Sequence, residues 1–219
     1  MMQLFPKGQV INLHPWEYNE VPVLLGAAFR EKAPVVVLHL TRPPIEIPDR
    51  ANLGIPSHFE AARGAYVVRD FKPGMPRGGA IIVQGTSSMV SITKILPELD
   101  RRSLNVKIVY GASPELFALQ SEEYRSTLLS PADRIDSTVI STQARCSMHD
   151  WLFTEVSEEY AMTSDWDNRW RTGGTLDEVI DEAHLSPEWL LKGIDRFVKD
   201  RTSRLARLKG ALKEAANAQ

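Results

Sequence analysis

Short β-branched runs, spaced by helix-length stretches, constrain this chain more than any other feature. "AYVVRDF" (65–71), "AIIVQ" (80–84), residues 106–110 of "NVKIVYG" and "DSTVISTQA" (136–144) each read as a strand, and "EEYAMTSDW" (158–166) holds one more. Helical signals fall between them. In "AIIVQGTSSMVSITKIL" (80–96) a helix follows a small-residue turn, and Ser113 and Ser121 sit where caps belong, with Pro114 at a first helical position. The segment "LSPEWLLKGIDRFV" (185–198) opens on Ser186 and Pro187 and repeats its apolar residues at helical spacing. Strands alternating with helices predict an α/β domain of three layers, a mostly parallel sheet flanked by helices.

The first 60 residues have a different texture. Residues 19–31 read as a helix capped by Asn19, and "APVVVLHL" (33–40) as a strand buried on both faces. Residues 43–58, with Pro43, Pro44, Pro48 and Pro56, read as a long exposed connection. The expected organisation is a helix–strand segment with linker over 1–60, then the α/β domain over 61–219.

Composition excludes several classes of function. A formal net charge of −2 gives no bulk attraction to nucleic acid or acidic membranes. The longest apolar run, Val35 to Leu40, is too short to span a bilayer, and the N-terminus has no signal-peptide pattern. A single cysteine permits no internal disulfide and fits a reducing compartment, so the expected location is the cytoplasm.

Chemistry-bearing residues are sparse. The turn Gly85, Thr86, Ser87, Ser88 joins a strand to a helix and could hold an anion on free N–H groups, although it lacks a phosphate-loop pattern. The residues favour a tight turn with a serine cap. Cys146 and His149 lie close in "CSMHD" but read as a buried thiol beside a surface histidine rather than a catalytic pair. His14, His39, His58, His149 and His184 have no metal-ligand spacing, and no paired carboxylates stand out. The basic stretch from Lys192 to Lys213, which includes Arg196, Arg201, Arg204 and Arg207, reads as a solvated face or an inter-subunit contact.

Taken together, "NVKIVYGASPELFALQSEEYRSTLL", "ARGAYVVRDF", "AIIVQGTSSMVSI" and "LSPEWLLKGIDRFV" resemble the C-terminal domain of the transketolase family. "HPWEYNEVPVLLGAAFREKAPVVVLHLTRPP" resembles the end of that family's pyrimidine-binding domain, with His14 in place of arginine, Glu17 of aspartate and Pro43 of glutamine. The resemblance implies that Arg42 matches an arginine gripping the phosphate end of the substrate, a task suited to a planar fork of donors. It also implies a dimeric, thiamine diphosphate- and Mg²⁺-dependent parent enzyme. No G-D-G motif occurs in the sequence, so the expectation is that this chain binds no cofactor or metal alone and carries no catalytic residue of its own. Its expected role is assembly, as a homodimer or with a larger chain that holds thiamine diphosphate. The alternative is a free-standing small-anion-binding module of the same fold.

Overall fold

The computed structural model describes residues 5–6, 8–169 and 171–217. It opens with β1 (Val10–Leu13), α1 (Glu20–Arg30) and β2 (Val35–Leu38). After a coil and a 3₁₀ turn at His58–Arg63 come β3 (Ala65–Arg69), β4 (Ala80–Gln84), α2 (Thr86–Arg101) and β5 (Lys107–Gly111). The helical corner follows as α3 (Pro114–Ala118), α4 (Glu122–Leu128) and α5 (Pro131–Ile135), leading to β6 (Ser137–Ser141). The chain ends with α6 (Glu155–Glu159), β7 (Met162–Thr163), α7 (Leu176–Glu182), α8 (Pro187–Lys199) and α9 (Arg201–Asn217).

The main sheet has five strands in the order β3-β5-β4-β6-β7, parallel except for β3, which runs antiparallel to β5. Its middle strands are buried along their whole length, as their continuous apolar runs require. Alternate side chains feed opposite layers. Ile81, Val83, Ile108, Tyr110 and Ile140 pack with Met89 and Ile92 of α2 and Leu190, Ile194 and Phe197 of α8. Ala80, Ile82, Val109 and Val139 face Phe117, Leu128, Met148 and Trp151. This is the expected three-layer α/β arrangement.

The corner at 113–125 is fixed from several sides. Ser113 and Ser121 cap α3 and α4 by accepting the Leu116 and Tyr124 N–H groups, both at 3.2 Å. Gly64, at φ +81°, hands its carbonyl to the Ser113 N–H at 2.8 Å. A Cβ at Gly64 would fall 2.2 Å from the Phe117 nitrogen, so only glycine admits this approach. Leu116 and Phe117 are buried, whereas Tyr124 is half-exposed and donates its hydroxyl to the Ala65 carbonyl at 2.8 Å.

Several expectations need correction. β1 was not legible in the sequence, and it supplies β2 with a parallel neighbour, Val10 beside Val35 through Leu13 beside Leu38. β2 is therefore paired, but its side chains are half-exposed or exposed rather than buried on both faces. Asn19 precedes α1 without a side-chain cap, and the Glu17 carboxylate accepts the Asn19 N–H instead. No serine caps α2, because Gly85 occupies that position at φ +97°. Cys146 is exposed, since the short 3₁₀ turn Arg145–Met148 turns Met148 inward instead. Within the basic tail Arg204 is fully buried rather than solvated. It donates to Asp136 Oδ1 at 2.6 Å and to the carbonyls of Phe197 and Gly78, and thereby pins α9 to the domain.

Candidate functional site

The end of β1 reaches across to the C-terminal ends of the main-sheet strands. The His14 N–H donates to the Ala112 carbonyl at 2.7 Å, and the His14 carbonyl accepts from the Tyr110 hydroxyl at 2.5 Å. One residue on, the Pro15 carbonyl accepts from the Thr86 hydroxyl at 3.2 Å. These bonds hold the first segment against the turn that opens α2.

Between them lies a cleft of about 340 Å³, lined by His14, His39, Leu40, Thr41, Arg42, Gly85, Thr86, Ser87, Thr142 and Gln143. Two regions singled out in the sequence for separate reasons thus meet, Arg42 on one wall and Gly85, Thr86 and Ser87 on the other. Ser88 is fully buried and does not line the cleft. Gly85 is required where it stands, because a Cβ there would lie 2.9 Å from the Thr142 hydroxyl on a backbone that side chains rarely adopt.

His14 and His39 stack in the cleft with ring centroids 4.1 Å apart and an interplanar angle of 13°. Burial, reinforced by the neighbouring His39, pushes the His14 imidazole down to about 3, so both rings stack as neutral species at neutral pH. His149 and Cys146 lie elsewhere, His149 against Asp150 on the surface. Among the described residues no group of three or more His, Cys, Asp and Glu side chains could hold a metal ion.

Beside the cleft is a buried ionic knot that sequence reasoning missed. Arg50 sits in the connection expected to be solvated, yet it is nearly enclosed. Its guanidinium donates to Glu17 at 2.9 Å and 3.2 Å, to Glu20 at 2.6 Å and to the Pro56 carbonyl at 2.9 Å. Glu20 also accepts the Tyr66 hydroxyl at 2.6 Å and the Trp16 N–H at 3.0 Å, while the Trp16 indole donates to the Tyr66 oxygen at 2.7 Å. The guanidinium carbon lies 5.0 Å from the Trp16 ring centre. Burial pushes the Glu20 carboxyl above its ordinary range, against the opposing pull of Tyr66 and Arg50. So paired carboxylates do exist here. Their signal was the spacing of Glu17 three residues before Glu20, where a turn closed by the Glu20 N–H on the Glu17 carbonyl at 3.2 Å precedes α1 and both carboxylates reach Arg50.

No family model matches the sequence. A transketolase of Aquifex aeolicus (strain VF5) is 29% identical over 133 residues, covering 59% of this chain and 18% of that protein. A Pichia stipitis transketolase crystallised with xylulose 5-phosphate superposes with a TM-score of 0.65 at 16% identity, over 89% of this chain and 26% of that one. The transketolase of Leishmania mexicana gives 0.65 at 19% identity, over 91% and 26% respectively. This chain is transketolase-like. It corresponds to a C-terminal portion of such enzymes and spans about a fifth of the length of the curated relative it matches.

Proposed function

We propose that this chain is the C-terminal part, or a split subunit, of a transketolase-like thiamine diphosphate enzyme, and that it serves assembly in the cytoplasm. The observation that carries this reading is end-to-end likeness to about a quarter of a transketolase, 26% of the solved chains against roughly nine-tenths of this one. Thiamine diphosphate and Mg²⁺ belong in this reading to a partner chain, which supplies the catalytic groups for two-carbon ketol transfer.

The surface of the first segment supports association. Phe29 is 65% exposed, Leu40 59% and Val35 41%, and among the described residues β2 pairs only with β1. A half-covered β-branched strand with an open edge, next to exposed apolar side chains, favours burial against another surface. A two-fold partner is the expected cover, with self-complementary contacts.

The test combines light scattering of the purified chain with co-purification from its native source. A dimer, or recovery with a larger thiamine diphosphate-binding chain, is the expected result. Val35→Asp and Phe29→Asp alter exposed positions and should lower the mass without lowering helix content. A monomer at high micromolar concentration that recovers no partner, or a calorimetric micromolar site for thiamine diphosphate with Mg²⁺ on the chain alone, would refute the reading.

A further inference from the structure

The last helix runs off the domain. Arg201 and Arg204 tie its start to Asp136, and Arg207 ties its second turn to Glu159, each at 2.6 Å. Past Arg207 no residue of α9 makes a hydrogen bond or ion pair with a described residue outside the helix, and Ala211 to Asn217 are all exposed. At the helical rise this free end is about 15 Å long. It also lies beyond the last stretch that resembles the transketolase family, which stops at Val198.

The free end has a pattern. In "LKGALK" (208–213) Leu208 and Leu212 share one stripe of the helix, and Lys209 and Lys213 share the next, because residues four apart lie on one face. Leu212 is 67% exposed, and both lysines are exposed without an ion pair among the described residues. α7 carries the same pattern with the opposite sign. In "LDEVID" (176–181) Leu176 and Ile180 form one stripe, and Asp177 and Asp181 the next. Leu176 is 41% exposed, and no residue of α7 is fully buried. Asp177 and Asp181 are exposed, Asp181 accepts the Ser186 hydroxyl at 2.9 Å, and neither pairs with a described lysine or arginine.

The two patterns fit in one orientation. Helices packed antiparallel bring flanks of the same side together, so Lys213 meets Asp177 and Lys209 meets Asp181 while the leucines face each other. Packed parallel, the charged stripes would fall on opposite sides of the seam. Within one chain the match is not made. The 13 residues of α8, about 20 Å of helix, separate the end of α7 from the start of α9, and α7 and α9 share no hydrogen bond or ion pair among the described residues. The complement to each helix is therefore available on another copy.

We propose that the free end of α9 docks antiparallel on α7 of a second copy of this chain, with Lys209 and Lys213 against Asp181 and Asp177 beside a leucine seam. Made reciprocally, the contact closes with two-fold symmetry. It goes beyond the assembly reading, whose partner covers the first segment at Phe29 and Val35, and it names a separate surface. The contact is small and edged by charge, so it is weak and sensitive to salt.

The experiment is sedimentation equilibrium of the full chain carrying Phe29→Asp and Val35→Asp, so that the first-segment surface does not contribute. Self-association at high micromolar concentration that weakens as salt is raised is expected. Asp177→Lys with Asp181→Lys, or Lys209→Asp with Lys213→Asp, should each weaken it about tenfold or more, because like charges then face each other. An equimolar mixture of these two variants should associate again, since each α7 then meets an α9 of opposite charge. Circular dichroism checks that the variants fold. Should the α7 variant fail to do so, Leu212→Asp and a chain ending at Arg207 remove the contact from the other side and should also weaken association. Absence of self-association, association untouched by these changes, or a mixture of folded variants that stays monomeric overturns the proposal. Those results would leave the first-segment surface standing, which Phe29→Asp and Val35→Asp test in the otherwise unchanged chain.

Discussion

Arg50→Met is the perturbation that most sharply tests the packing logic of this molecule. The guanidinium closes a knot of two carboxylates, a tyrosine and a tryptophan, with Glu20 fully buried and Glu17 nearly so. Methionine retains the apolar stem and removes the charge. Glu17 then keeps only the Asn19 N–H, and Glu20 keeps the Tyr66 hydroxyl and the Trp16 N–H. Removing one partner of a buried ion pair costs about 3–5 kcal/mol, because the remaining charge stays desolvated. The loss should depend on pH in a fixed direction. Glu20 already titrates above the ordinary glutamate value of 4.5, and without Arg50 it should titrate higher still. An acid whose folded pKa is raised binds more protons folded than unfolded, so its stability contribution is fully present below about 4.5 and is lost as pH rises through the folded value. The deficit of Arg50→Met in urea unfolding should therefore be larger at pH 7.5 than near pH 4.5. Glu20→Gln added to Arg50→Met should recover part of it at neutral pH. A deficit below about 1 kcal/mol, or one unchanged with pH, would show that the knot is not what joins the first segment to the domain.

Phe117→Ala should destabilise by about 3–5 kcal/mol in the same assay, since Phe117 is 7% exposed and packs 5.6 Å from Trp151 between ring centres. A loss under about 1 kcal/mol would make the corner peripheral. A different probe reads the far end of the domain, where His184 is stacked between Trp166 at 3.9 Å and Trp189 at 3.8 Å. Burial holds this imidazole below its ordinary value of 6.5, so tryptophan emission should titrate with a midpoint below 6.5 and the stability it contributes should fall as pH drops from there. His184→Gln should abolish that titration, and a midpoint above 6.5 would contradict the reading of the stack.

Most of the main sheet was legible because its strands are short β-branched runs buried on both faces, and burial alone makes such runs conspicuous. β5 begins one residue later than its apolar run, at Lys107 instead of Val106, because the Lys107 N–H pairs with the Gly79 carbonyl at 3.1 Å and starts the ladder there. β1 was not legible. "VINL" has only four residues and carries Asn12, which is fully buried because its amide donates to the Glu115 carboxylate at 2.7 Å. That partner lies 103 positions away, and no local pattern announces it. The same holds for Arg204, whose acceptor Asp136 lies 68 positions back along the chain.

The candidate site shows where reading by type stops. Arg42 and the Gly85 turn were each visible as residues with donors to offer, but the reason they meet lies in β1. The two ends of β1 are held differently. Val10 only pairs with β2, while His14 is bonded through its backbone to both Tyr110 and Ala112 at the end of β5. That attachment carries the chain from His14 to Glu20 over the sheet's carboxyl edge, and Arg50 then ties the Pro-rich connection to the same place. The connection was read as solvated because prolines and single charges usually are. An arginine in a loop becomes structural only when acceptors converge on it, and here they come from α1, from the segment before it and from Pro56. Arg42, eight residues earlier, makes no ion pair with any described residue and stays at the mouth of the cleft. One arginine of this stretch holds the fold, and the other makes no ion pair with any described residue. That contrast, invisible in the residue types, separates a structural cation from an exposed one.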